Sequence, residues 1–228
     1  MNTDTIYDKE IICPVCSKKT IITKVKSKAC KVSSRDTDFC VYYEGINPIL
    51  YDVWVCENCG YSSMSDKFET INAREAKLIL ETITPKWVKR SMSGDRSIDN
   101  SIEAFKLALL NLQIRKAKSS EFAKVCLRIA WLYRISKDEK EFDFLRHALN
   151  YYNDTYEKER FPVDKLDEFT CMYMIAELNR RLGSNEEALK WFGRIISSPD
   201  ARRNAKLLEN ARDQIQLIKD SADEAERQ

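Results

Sequence analysis

The sequence predicts an α+β fold that is mostly α, with a small cysteine-rich β region first and antiparallel helices after it. Three observations carry this. Six of the eight cysteines fall between Cys13 and Cys59, leaving only Cys126 and Cys171 in the rest of the 228 residues. Near residue 70 the pattern changes from β-branched and aromatic runs to helical spacing that continues to the end. Five Gly and five Pro are too few for a loop-rich β protein. The expected division is 1–70 and 71–228, with the boundary between Phe68 and Asn72 and no Gly/Ser linker to mark it, so the two parts are expected to pack together.

Thr20-Ile-Ile-Thr23 and Tyr51-Asp-Val-Trp-Val55 have the composition of short strands. The first helix is expected over Asn72–Thr84, ended or kinked by Pro85, with a loop at Ser91–Asp95. A longer one follows over Ile98–Ala117, with Ile102, Phe105, Leu109 and Leu112 on one face, and another over Phe122–Ile135. Asp138-Glu-Lys-Glu141 resembles a capping box. The helix it opens carries the stripe Phe142, Leu145, Leu149, Tyr152, Tyr156. Pro162 and Asp164 restart the chain before Leu166–Leu182, which is apolar nearly all round. Ser184-Asn-Glu-Glu187 is a second capping box, opening Glu186–Ser197, and Pro199 suits a first helical position. The last helix has a narrow stripe, Leu208, Ala211, Ile215, Ile218 and Ala222, on a charged rod, as a terminal helix with one face to water would.

Ala176, Gly183, Ala188 and Phe192, with Pro199 behind, have the small–turn–small–aromatic spacing of a tetratricopeptide unit. Small residues let paired helices approach, and the aromatic fills the groove against the next pair. Ala130-Trp-Leu-Tyr133 and Ala148-Leu-Asn-Tyr151 read as a diverged unit; an ordinary helical bundle is the alternative.

Cys13-Pro-Val-Cys16 and Cys56-Glu-Asn-Cys59-Gly60 are paired CxxC knuckles. Two residues between cysteines let one tight turn aim both sulfurs at one point, and two such turns supply the four thiolates of a tetrahedral Zn²⁺ site. Gly60 suits a positive-φ position after the last ligand. The wide gap between knuckles points to an elaborated zinc ribbon with extra strands. Four thiolates close the coordination sphere, so the zinc is expected to be structural, one per chain, contributing on the order of 10–16 kcal/mol to folding. Iron in a rubredoxin-like site uses similar knuckles and stands second. Cys30 and Cys40 read as core thiols, or as thiols that respond to oxidation. Cys126 and Cys171 lie among apolar residues and read as core.

Arg35-Asp-Thr-Asp-Phe-Cys40, Gly45-Ile-Asn-Pro48, Tyr51-Asp-Val-Trp-Val-Cys56 and the CENCGY run at 56–61 resemble an uncharacterised bacterial family, domain of unknown function 2225. Ala130-Trp-Leu-Tyr-Arg134 and Glu177-Leu-Asn-Arg-Arg-Leu-Gly183 resemble that family's later motifs. The resemblance implies a cytosolic bacterial protein joining a zinc ribbon to tetratricopeptide-like helices. It transfers no activity, and only the four knuckle cysteines carry over as ligands.

Composition narrows the function. Apolar residues at 43% permit a packed core, and a formal charge of +2 excludes whole-protein attraction to nucleic acid or anionic membrane. No apolar run approaches the length of a membrane span, and Met1–Glu10 is polar with no leader-like apolar segment. Eight cysteines in such a chain suit a reducing cytoplasm. An enzyme is not expected. There is no phosphate-cradling Gly loop and no GxSxG or HExxH; His147, the one histidine, reads as a half-buried structural residue, and Asp36 and Asp38 as strand-end carboxylates.

The leading expectation is a protein-interaction module using a groove of stacked helices, with a protein or peptide partner and with Tyr133, Tyr151, Tyr152, Tyr156, Arg134, Arg180 and Arg181 as anchor types. The alternatives are a thiol-based redox or metal sensor and a nucleic-acid-binding ribbon. For the latter, Lys24, Lys26 and Lys28 fall at alternate positions and would share one strand face, with Tyr42, Tyr43 and Trp54 placed to stack bases. The same lysines also suit an edge strand guarded against aggregation. The acidic stretch that follows, residues 36–70, would weaken their field if it folds alongside.

Overall fold

The computed structural model describes residues 5–226. Residues 1–4, part of the stretch read above as lacking a leader, and residues 227–228 lie outside the described residues. Among the described residues, short strands form three separate antiparallel pairs. Strand β1 (Ile6–Ile12) pairs with β2 (Lys19–Val25), β3 (Lys31–Arg35) with β4 (Val41–Glu44), and β5 (Val53–Val55) with β6 (Ser62–Met64). Among the described residues helices follow: α1 (Ala73–Thr82), α2 (Ile98–Arg115), α3 (Ser119–Ile135), α4 (Lys140–Lys158), α5 (Glu168–Arg181), α6 (Asn185–Ser197) and α7 (Ala205–Glu226). Each packs on the next along the chain. None is long and apolar enough to cross a membrane.

Local chemistry explains most helix starts. Asn72, Ser97 and Asp167 each accept a hydrogen bond from the backbone N–H three residues on, at Glu75, Asn100 and Thr170. Neither expected capping box forms. Ser184 makes no side-chain cap bond, and Glu187 pairs instead with Lys190. Asp138 accepts from the Lys140 amide, while Glu141 turns away to Arg134. In both cases a cation within reach outcompetes the neutral amide for the carboxylate. The α4 stripe is also rotated from its expected place. The buried set is Leu145, Ala148, Tyr152 and Thr155, while Phe142 is 44% exposed. Small Ala148 and Thr155 face the neighbours because close helix packing selects for size as well as polarity.

Two apolar clusters share β5. Trp54 points to one side, with Ile11, Ile22, Tyr61, Phe68, Ile79 and Ile83 around the knuckle cysteines. Val53 and Val55 point to the other and join the helical core with Ile49, Met64 and Cys40. Period-two alternation on one short strand thus ties the cysteine region to the helices. Helix α1 sits on the cysteine side through Ile79.

The turn between β3 and β4 holds a charged lock. Asp38 is fully buried, and Trp131 Nε1 donates to its Oδ2 at 2.9 Å. Arg134 Nη2 donates to the same oxygen at 2.7 Å, Nη1 donates to Asp36 at 2.7 Å, and Nε donates to Glu141 at 2.6 Å. From α5, Arg180 and Arg181 both donate to Glu177, which is also fully buried and accepts from the Thr37 hydroxyl. Tyr173 donates to the Thr37 carbonyl at 2.9 Å. The turn is therefore gripped by α3 and α5 together, and the last two stretches that resemble the family's motifs meet its first one here.

Burial alone would raise the Asp38 pKa, but the hydrogen bonds from Arg134, the charge of Arg181 and the Trp131 bond more than offset it and hold it below the ordinary carboxylate value. A folded pKa below the unfolded one contributes stability above the ordinary Asp range and loses it as pH falls through the folded value. Asp38→Asn should cost about 3–5 kcal/mol, because it leaves buried guanidinium groups undercompensated. Urea unfolding followed by helical circular dichroism checks this. The wild-type chain should lose stability steeply below about pH 4 and the variant less steeply.

Candidate metal centre

Each CxxC knuckle is the turn of a hairpin: Cys13–Cys16 joins β1 to β2, and Cys56–Cys59 joins β5 to β6. The two turns bond alike. Cys13 N donates to Lys18 O at 3.0 Å and Ser17 N to Cys13 O at 2.9 Å; Cys56 N donates to Tyr61 O at 2.8 Å and Gly60 N to Cys56 O at 3.0 Å. Both turns leave the last cysteine through a left-handed residue, Gly60 at φ +75° and Ser17 at φ +57°. The sequence signalled the first through its glycine. Ser17 carried no such signal, because a serine tolerates this φ at some strain without being required there.

Cross-bonds set the turns face to face. Glu57 N donates to the Thr20 hydroxyl at 3.2 Å, and Asn58 Nδ2 donates to Lys19 O at 2.8 Å. The four sulfurs then lie within 4.8 Å of one another, with Cys13 Sγ to Cys59 Sγ and Cys16 Sγ to Cys56 Sγ both at 3.7 Å. A tetrahedron of thiolates with metal–sulfur bonds near 2.3 Å has edges of about 3.8 Å. The cluster therefore fits a single tetrahedral metal ion. Cys13, Cys56 and Cys59 are fully buried, and Cys16 is partly exposed. Without a cation the sulfurs share protons: hydrogen bonding to Cys56 pushes the Cys13 thiol up, while Cys13 and Cys59 bonded to Cys56 pull that group down. A divalent cation would replace this sharing with four thiolates.

The sequence reading did not include the strap over the second knuckle. The Trp87 indole donates to Glu57 O at 2.7 Å, and the Thr84 hydroxyl to Cys59 O at 3.1 Å. The Trp87 ring lies so close to Gly60 that a Cβ there would come within 2.7 Å of it. Gly60 is thus required twice, by backbone conformation and by the ring above it. No spacing rule links residue 60 to a tryptophan beyond the first helix.

The other expected site residues are dispersed. Strand β2 ends at Val25; Lys26 N still donates to Thr5 O at 2.8 Å, and the chain then turns at Ser27–Ala29. Lys26 and Lys28 lie on the following 3₁₀ turn, so the alternate lysines do not share one strand face. Lys24 Nζ sits 5.4 Å from the Trp54 ring centre, and Trp54 is 8% exposed, closed to base stacking. Asp36 and Asp38 are salt-bridged in the turn rather than paired on a strand, and Arg134, Arg180 and Arg181 are consumed by those carboxylates and Glu177. Tyr133 and Tyr152 are buried, and Tyr151 stacks on Phe122. His147 is exposed on α4 rather than half-buried. Burial, then the Asp38 charge, pushes the Cys40 thiol up to about 12; Cys30 is also raised by burial. Neither is favoured as a thiolate.

Two expectations follow. The chain should hold one metal ion, and Cys59→Ser should lose it, as read by elemental analysis after dialysis. Gly60→Ala should destabilise by at least about 1–2 kcal/mol from left-handed strain alone, with more from the ring. Adding Trp87→Ala should recover the collision but not the strain, measured as denaturation midpoints of the single and double variants.

Comparison with known proteins is consistent with this arrangement without naming an activity. No curated protein and no solved structure gives a significant match. The family model of domain of unknown function 2225, described as an uncharacterised protein conserved in bacteria, matches residues 6–218. That span takes in both knuckles, the charged lock and all the helices up to most of α7, so the chain belongs to this family.

Proposed function

We propose that the chain is a cytoplasmic, non-enzymatic zinc protein whose helical region binds another protein. The four cysteines are the ligands of one structural zinc, which braces the β region. The helices α3–α4 and α5–α6 act as two tetratricopeptide-like pairs. Fully buried Ala130, Ala148, Ala176 and Ala188 support this, as does Phe192, which packs edge-on to Tyr173 at 5.6 Å. The observation that carries the partner reading is an arginine–aromatic cluster between α4 and α6. Trp191 meets Tyr156 edge-on at 4.9 Å, and the Arg194 guanidinium lies 4.3 Å from the Trp191 ring centre and donates to the Tyr156 hydroxyl at 2.8 Å. These residues are only half-buried or exposed, and they are the types that dominate binding energy at protein interfaces. They replace the anchors that the charged lock consumes.

Zinc predicts a colourless protein with one zinc per chain; a visible thiolate–iron band with iron in that ratio would reverse the metal assignment. Capture from native lysate should yield a nuclease-resistant protein partner that Trp191→Ala and Arg194→Glu release by tenfold or more, about 1.4 kcal/mol or above. Retention by both variants would reject this face. Recovery of nucleic acid that Lys26→Glu and Lys28→Glu abolish would favour the ribbon instead.

A further inference from the structure

A cavity of about 530 Å³ lies where β6, α2, α3, α4 and the α4–α5 connection meet. This is the size and setting of small-molecule sites, which favour junctions between structural units. Met64, Leu112, Val125 and Val163 give it an apolar wall, and Tyr152 lines it. Tyr152 is 7% exposed, and its hydroxyl has no hydrogen-bond partner among the described residues. The buried side-chain atoms that are both sealed and unpartnered are Asn111 Oδ1, Arg115 Nε and Gln214 Oε1. Among the described residues the Tyr152 hydroxyl is not one of them, and its side chain is part of the cavity lining. A buried hydroxyl left unpaired costs free energy, which a ligand group meeting it recovers.

The mouth is charged but internally balanced. Lys124 pairs with Asp66 at 2.7 Å and Lys67 with Asp164 at 2.6 Å, while Lys165 on the rim is exposed to water. Among the described residues the remaining lining carboxylate, Glu121, pairs with Arg115 at 3.1 Å. The first pair ties the turn after β6 to α3 and the second ties it to the α4–α5 connection, so both hold the mouth in shape.

We propose that this cavity binds a neutral, largely apolar small molecule whose single hydrogen-bonding group meets the Tyr152 hydroxyl. The site is separate from the cysteine cluster and from the Tyr156–Trp191–Arg194 face.

The neutral fluorophore N-phenylnaphthylamine serves as probe with the full-length protein. It should bind saturably with one site per chain, and Tyr152→Phe, which keeps the ring, should weaken binding by about tenfold, the worth of one hydrogen bond. Ala108→Leu should fill the cavity and abolish binding, with circular dichroism confirming that the helices persist. Should that variant unfold, Lys165→Trp at the exposed rim replaces it and should also block entry. No saturable binding by the wild-type chain would overturn the proposal. So would binding that is unchanged in Tyr152→Phe and in a folded blocking variant.

Discussion

Two fully buried carboxylates, Asp38 and Glu177, set the constraint on which the arrangement of this protein depends. An unpaired ionised group in a protein interior is so unfavourable that its partners must arrive together with it. For Asp38 these are Arg134 and Trp131 of α3, with Arg181 Nη2 of α5 at 3.5 Å; for Glu177 they are Arg180, Arg181 and the Thr37 hydroxyl. One five-residue turn therefore fixes the distance between α3 and α5, and it also anchors a hairpin whose own β3 strand is exposed throughout. A two-stranded hairpin has little stability alone. Here the charged turn supplies what its strands do not.

A second buried cation joins the halves without a carboxylate. Arg96 is 8% exposed, and its guanidinium donates to the carbonyls of Leu50, Val53 and Met92 at 3.1, 2.8 and 2.9 Å. Burial lowers its pKa to about 10, yet it stays charged near neutrality, solvated by carbonyl dipoles and by the Tyr51 ring 5.6 Å away. The loop before α2 is thereby fastened to the segment that leads into β5. Since β5 runs directly into Cys56, the second knuckle is held from below by Arg96 and from above by the Thr84–Trp87 strap. The cysteine cluster is thus embedded in the larger packing, and the two apolar cores meet across three residues of strand.

The same competition for charge explains where local patterns misled. Glu141 and Glu187 have capping-box spacing, but each takes a cation in place of an amide. Arg134, Arg180 and Arg181 resemble interface anchors in type, yet they face inward. The lysines at 24, 26 and 28 keep their alternate spacing while the strand beneath them ends at Val25, and the chain turns into a 3₁₀ segment at Ser27–Ala29. In each case the residue type was right and its partner was not visible.

The sequence by itself determined the four-cysteine cluster, the order of strands before helices, and nearly every helix. These depend on chemistry within a few residues: a two-residue knuckle aims its own sulfurs, and helical spacing declares its own apolar face. It also determined that Gly60 needs a left-handed backbone. Only the tertiary structure decided that Trp87 covers that glycine, that Asp38 meets Arg134 across 96 residues, and that Tyr152 ends beside an open cavity rather than on a surface. Those outcomes depend on which buried charges and volumes meet in space, and pairing energy over such separations leaves no periodic trace along the chain.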